Sequence, residues 1–117
     1  MNSISKSDID KSFGKILRDF RVKNKLTQEQ LSEKLGISLK YISRIENGNN
    51  GIKTQTLINY MNILGITPNV IYASFINNEK IKKSIELSNK LDKLSDEKKE
   101  FISSIIDLVD NLDSQDN

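Results

Sequence analysis

Four side chains within six residues have the types and spacing to read a flat, patterned surface: Leu39, Lys40, Ser43 and Arg44. The forked guanidinium of Arg44 suits the two acceptors of a guanine edge, and Lys40 can reach a guanine or a phosphate. Ser43 serves either base type, and Leu39 can pack on a thymine methyl. Ile42 and Ile45 stand among them as a narrow apolar stripe, so a helix here buries that stripe and turns the other four outward. The major groove of duplex DNA, about 12 Å wide, admits such a helix. Upstream, Gln28 opens a second helical pattern, where its side chain and the exposed amides of the helix end can hold a phosphate.

The elements that must position these residues can be read from capping signals and periodicity. Phe13, Ile16, Leu17 and Phe20, with Val22 less squarely placed, form the stripe of a first helix over 13–24, with Asp10 or Ser12 as its cap. Thr27 and Gln30 have the spacing of a capping box, so a second helix runs from about Gln28 to Leu35 with Leu31 and Leu35 inward. Gly36 supplies the left-handed residue that ends it, and Ser38 caps the third helix. The run Asn47-Gly48-Asn49-Asn50-Gly51 cannot continue a helix. Thr54 or Thr56 then caps a fourth, carrying Leu57, Ile58, Met61 and Leu64, and Gly65 ends it. Thr67 and Pro68 start a fifth over about 68–75, with Val70, Ile71 and Phe75 directed to the core.

Several stretches, in order and spacing, resemble the Cro and phage-repressor family, also called the xenobiotic-response-element family. They are Phe13-Gly14-Lys15-Ile16-Leu17-Arg18-Asp19-Phe20-Arg21, Leu26-Thr27-Gln28-Glu29-Gln30-Leu31, Leu35-Gly36-Ile37-Ser38, Tyr41-Ile42-Ser43-Arg44-Ile45-Glu46-Asn47-Gly48 and Leu64-Gly65-Ile66. The resemblance covers residues 12–76 and implies a helix-turn-helix domain that binds double-stranded DNA in a bacterial or phage setting. Leu39, Lys40, Ser43 and Arg44 then face base edges, while Thr27 and Gln28 touch the backbone and Asn47 binds phosphate from the loop. It also implies that Arg21 pairs with Glu46 as a structural brace. The loop 49–54 is longer than in compact phage repressors, so phosphate contacts by Lys53 and Thr54 depend on its course. Tyr41 has two readings, a reach to the DNA backbone or packing against the second and fourth helices.

Composition narrows the alternatives. The chain has 117 residues with no Cys and no His, which removes thiol nucleophiles, disulfides, the usual zinc sites and the commonest general base. No enzyme, metal or cofactor is expected, and Asp107, Asp110 and Asp113 read as a solvated helix face because no glycine-containing calcium loop surrounds them. Without a signal peptide or an apolar run of membrane length, the expected setting is the cytoplasm. Residues 1–76 hold 11 Lys or Arg against 6 Asp or Glu, and residues 77–117 hold 7 against 10, a basic front and an acidic back. Excess positive charge favours phosphates through counterion release.

Beyond Asn77-Asn78 lie two more helical patterns. The first, over 79–94, carries Ile81, Ile85, Leu91 and Leu94; the second, capped by Ser95, carries Phe101, Ile105, Leu108 and Leu112, with Ile102, Ile106 and Val109 widening the stripe. A hairpin of about 35 residues cannot bury so wide a stripe alone. The stripe either docks on the fifth helix or makes a homodimer interface through Phe101, Ile102, Ile105, Leu108, Val109 and Leu112, and the dimer is favoured because groove readers of this kind bind pseudo-palindromes. The expected architecture is thus all-α: a flexible arm over 1–11, a five-helix repressor-like DNA-binding domain over 12–76, a C-terminal two-helix hairpin over 79–112 and a frayed tail over 113–117. The expected function is sequence-specific regulation of transcription, as a repressor. The rival is a protein-interaction module, an antitoxin or anti-activator, whose C-terminal helices grip a regulatory partner protein while DNA binding is autoregulatory.

Overall fold

The computed structural model describes residues 3–115, and side chains as far as Leu112. Among these residues the chain is all-helical, with helices α1 (Lys6–Lys23), α2 (Gln28–Leu35), α3 (Leu39–Glu46), α4 (Thr54–Leu64), α5 (Pro68–Tyr72), α6 (Glu79–Asp92) and α7 (Asp96–Gln115). A 3₁₀ turn, Ala73–Phe75, follows α5. The chain divides into two compact units between Phe75 and Ile76.

The local signals act as their chemistry demands. The Thr27 hydroxyl accepts the Gln30 N–H at 3.1 Å and the Gln30 side chain accepts the Thr27 N–H at 2.9 Å, closing both halves of the capping box. Gly36 ends α2 at φ 66°, the Ser38 hydroxyl accepts the Tyr41 N–H, and Thr67 caps α5 with Pro68 at its first position. The core of the first unit is Phe13, Leu17, Leu31, Ile42, Ile45, Leu57, Tyr60, Leu64, Ile66 and Ile71. It joins one face of each of the five helices.

Several expectations are corrected. The arm expected over 1–11 is helical from Lys6, because the Ser5 hydroxyl caps the Asp8 N–H at 3.1 Å and Ile9 extends the apolar face by one turn. The fourth helix starts at Thr54 with Lys53 in the cap position, without a side-chain cap bond, and neither Thr54 nor Thr56 caps it. Thr56 is buried instead. Ile58 and Val70 point outward, 46% and 38% exposed, because each follows or precedes an inward residue by one position, a rotation of about 100° on the helix. α7 runs to Gln115, so the tail expected from Asp113 is helical to that point, and no Gly or Pro after Pro68 interrupts either helix of the second unit. Residues 1, 2, 116 and 117 lie outside the described residues.

One ion pair braces the first unit. Arg21 donates from Nε to Glu46 Oε2 at 2.7 Å and from Nη2 to Oε1 at 2.9 Å, while its Nη1 bonds the Leu26 carbonyl at 2.8 Å. The two side chains are 12% and 2% exposed. Bonding to the Glu46 carboxylate raises the Arg21 pKa above its ordinary value against the opposing effect of burial, so the guanidinium stays charged throughout. Nearby, Tyr60 is fully buried and its hydroxyl finds no hydrogen-bond partner among the described residues. Burial, and then the Glu46 charge, push its pKa up.

Glu46→Ala leaves a mostly buried guanidinium without its carboxylate and is expected to cost about 3 kcal/mol in urea unfolding. Combining it with Arg21→Ala should cost less than the two single losses added together. Tyr60→Phe removes an unpaired hydroxyl and is expected to raise stability by about 1 kcal/mol at pH 7. Because the folded-state pKa of Tyr60 lies above its unfolded value, the parent protein keeps the contribution of the neutral phenol below about pH 10 and loses it above. The advantage of Tyr60→Phe should therefore grow between pH 9 and 11; a constant difference across that range would contradict the assignment.

Candidate nucleic-acid interface

Ile42 and Ile45, 0% and 1% exposed, fix the rotation of α3 on the core. The opposite face is therefore presented outward: Leu39, Lys40 and Arg44 are exposed and Ser43 is half-exposed. These four lie at positions 1, 2, 5 and 6 of the helix, two pairs one turn apart, so a single surface can meet them all. Ser38 holds the N-terminus of the helix, and Asn47, exposed at its C-terminal cap, spends its backbone N–H on the Ser43 carbonyl at 3.1 Å.

Gln28 occupies the first position of α2 and is half-buried. Its Nε2 donates to Glu46 Oε1 at 3.2 Å, so the residue joins the Arg21–Glu46 brace and ties the start of α2 to the end of α3. Thr27 is exposed, but its hydroxyl and N–H both serve the capping box. The start of α2 and the exposed face of α3 are thus held in one register by the same carboxylate.

Tyr41 is half-buried against the core, and its hydroxyl accepts the Lys53 N–H at 3.3 Å. It thereby ties α3 to the first residue before α4. Lys53 and Thr54 are exposed there, at the far end of the loop 47–53 from Asn47. Gly48 carries φ +72°, a conformation that a side chain strains, and its N–H closes on the Ile45 carbonyl at 3.0 Å.

Three features escaped the residue-by-residue reading. Gly14 lies where α1 crosses the end of α3: a Cβ there would stand 2.4 Å from the Ile45 carbonyl oxygen and 2.9 Å from that of Glu46, so only glycine lets the two backbones approach. A glycine inside an otherwise regular helical stripe is the signal that could have found it. The link of Gln28 to Glu46 had no such local sign, because it joins residues 18 apart. The early start of α1 was signalled only by Ser5 three residues before Asp8. In the second unit, Ile85, Leu91, Leu94 and Ile102 are half-buried near the turn, while Phe101, Ile105, Ile106, Leu108, Val109 and Leu112 are 40–67% exposed.

A family model described as helix-turn-helix matches residues 17–71, from the middle of α1 to α5. No curated protein matches the chain. Among the described residues no helix is long and apolar enough to cross a membrane. The matched span contains α2, the turn at Gly36 and α3 with its outward polar face, so residues 17–71 carry a helix-turn-helix domain of the Cro and phage-repressor kind, the domain of DNA-binding transcription regulators.

Proposed function

We propose that this chain is a sequence-specific repressor that binds a pseudo-palindromic operator as a homodimer in the cytoplasm, each copy laying α3 in a major groove. The observation that carries the reading is the outward face of α3, where Leu39, Lys40, Ser43 and Arg44 stand clear of a stripe only 0–1% exposed. Arg44 reads a guanine through its two-point fork, Lys40 a guanine or phosphate, Ser43 a neighbouring base, and Leu39 a thymine methyl. Gln28, the α2 N-terminus beside Thr27, Asn47, Lys53 and Thr54 grip the backbone on either side. Tyr41 serves that grip by holding the Lys53 N–H rather than by reaching out alone.

The dimer rests on α7. Phe101, Ile105, Leu108 and Leu112 repeat at spacings of 4, 3 and 4, and with Ile106 and Val109 they leave a continuous apolar face in water. Paired across a two-fold axis with Ile102 at its edge, that face would be covered by its own copy, and a symmetric protein matches a symmetric site with half-sites about 34–36 Å apart. The exposed face also fits an amphipathic helix of a regulatory partner protein, which is the antitoxin or anti-activator reading.

Selection of bound duplexes from a random pool tests the DNA reading: an inverted repeat should be enriched, and an unenriched pool would sink it. On the selected site Arg44→Ala should cost about 1–3 kcal/mol and relax preference at one base pair per half-site, whereas Gln28→Ala should weaken all sequences alike. Sedimentation equilibrium tests the assembly. The parent should sediment as a dimer and Leu108→Asp as a monomer; a monomeric parent would turn α7 over to the partner-protein reading.

A further inference from the structure

The first two turns of α1 lie against the loop that follows α3. A Cβ added at Gly48 would stand 2.9 Å from both Cα and Cγ of Lys11, and one added at Gly51 would stand 3.1 Å from the ammonium of Lys6. Each glycine therefore gives the loop a close approach to a lysine. Lys6 is held by Asp10, Nζ to Oδ2 at 2.8 Å, and keeps 79% of its side chain exposed while Asp10 is 12% exposed beneath it. Lys11 is exposed, and of the residues one turn away on its own helix, Ser7, Asp8, Gly14 and Lys15, only Asp8 is acidic. Lys53, exposed at the other end of the same loop, adds a third cation.

We propose that these turns of α1 form a second wall of the DNA-backbone grip, in which Lys11 beside Gly48 and Lys6 above Gly51 contact phosphates of the strand held by the loop 47–53. The proposal rests on the DNA-binding reading and extends it to a segment that precedes the span 17–71 matched by the family model. Its chemistry is that of point charges on mobile stems: each lysine neutralises a phosphate and releases a counterion, adding affinity without sequence preference. Asp10 acts as a positioning residue. Its carboxylate anchors Lys6 over the loop, and the ammonium screens that carboxylate from the DNA.

The test is the salt dependence of binding to a random-sequence 24-base-pair duplex, measured by fluorescence anisotropy from 50 to 300 mM KCl. Lys11→Ala and Lys6→Ala should each make the slope of log affinity against log salt shallower by about 0.9, and weaken binding roughly five- to tenfold at 100 mM. Lys11→Arg should restore the parental slope. Gly51→Ala, which retains every charge but pushes into the Lys6 ammonium, should weaken binding less than Lys6→Ala does. Thermal unfolding separates a structural loss: a variant that loses affinity and melting temperature with its salt slope unchanged overturns the phosphate contact. Parental binding with unchanged slopes and affinities in both alanine variants overturns this proposal alone. A parent protein that fails to bind any duplex at 50 mM KCl overturns the DNA reading and this proposal together.

Discussion

A carboxylate exposed to only 2% is accommodated in this small core because a guanidinium meets it with two parallel bonds, and much of the first unit is arranged to permit that meeting. Arg21 comes from α1, Glu46 from the last position of α3, and the remaining guanidinium nitrogen reaches the Leu26 carbonyl just before α2. Gln28 then donates to Oε1 of the same carboxylate, the oxygen it shares with Arg21 Nη2. Three helices are thus indexed to one group. A pair of leucines could supply comparable burial, but apolar contacts tolerate sliding; directed bonds do not. The angle at which α3 leaves the core follows from a polar contact, while its attachment follows from Ile42 and Ile45.

The brace works only if α1 and α3 approach closely, and backbone rather than side chain decides that distance. Gly14 puts α1 against the carbonyls of Ile45 and Glu46, about two helical turns from Arg21. The contact continues past the end of α3, with Gly48 at Lys11 and Gly51 at Lys6 and Asp10. A single helix therefore supports both the exposed helix and the loop behind it. Tyr41 closes the same unit from the opposite side through the Lys53 N–H.

Much of this was legible locally, and the reason is that caps are local chemistry. Thr27 with Gln30, Gly36, Ser38 and Thr67 with Pro68 each settle a helix end within three residues, and the structure uses all of them. Leu17, Leu31, Ile42, Ile45 and Leu64 follow from spacing alone and are buried. What did not show was decided by contacts distant in the chain. The start of α1 depends on packing against a loop some 40 residues later. The choice of Leu57 over Ile58, and of Ile71 over Val70, depends on which neighbour fills the core, since adjacent apolar residues offer periodicity no way to rank them. Lys53 stands at the α4 cap position without a side-chain bond, and its own N–H goes to the Tyr41 hydroxyl; no short-range pattern encodes a bond across 12 residues. Within the candidate interface, the outward set on α3 was readable from Ile42 and Ile45; the bond from Gln28 to Glu46 was not.

The second unit differs from the first in how it would register in a calorimeter. Unfolding raises heat capacity in proportion to the apolar surface newly wetted, about 12–15 cal/mol/K per residue for an average globular protein. Six large side chains of α7, Phe101 through Leu112, already stand in water at 40–67% exposure, and none of the α6 residues is fully buried. Surface that is wet on both sides of the transition adds nothing. The single chain therefore has a flatter stability curve than its 117 residues would suggest, and covering the α7 face is an event whose largest thermal signature is curvature rather than enthalpy.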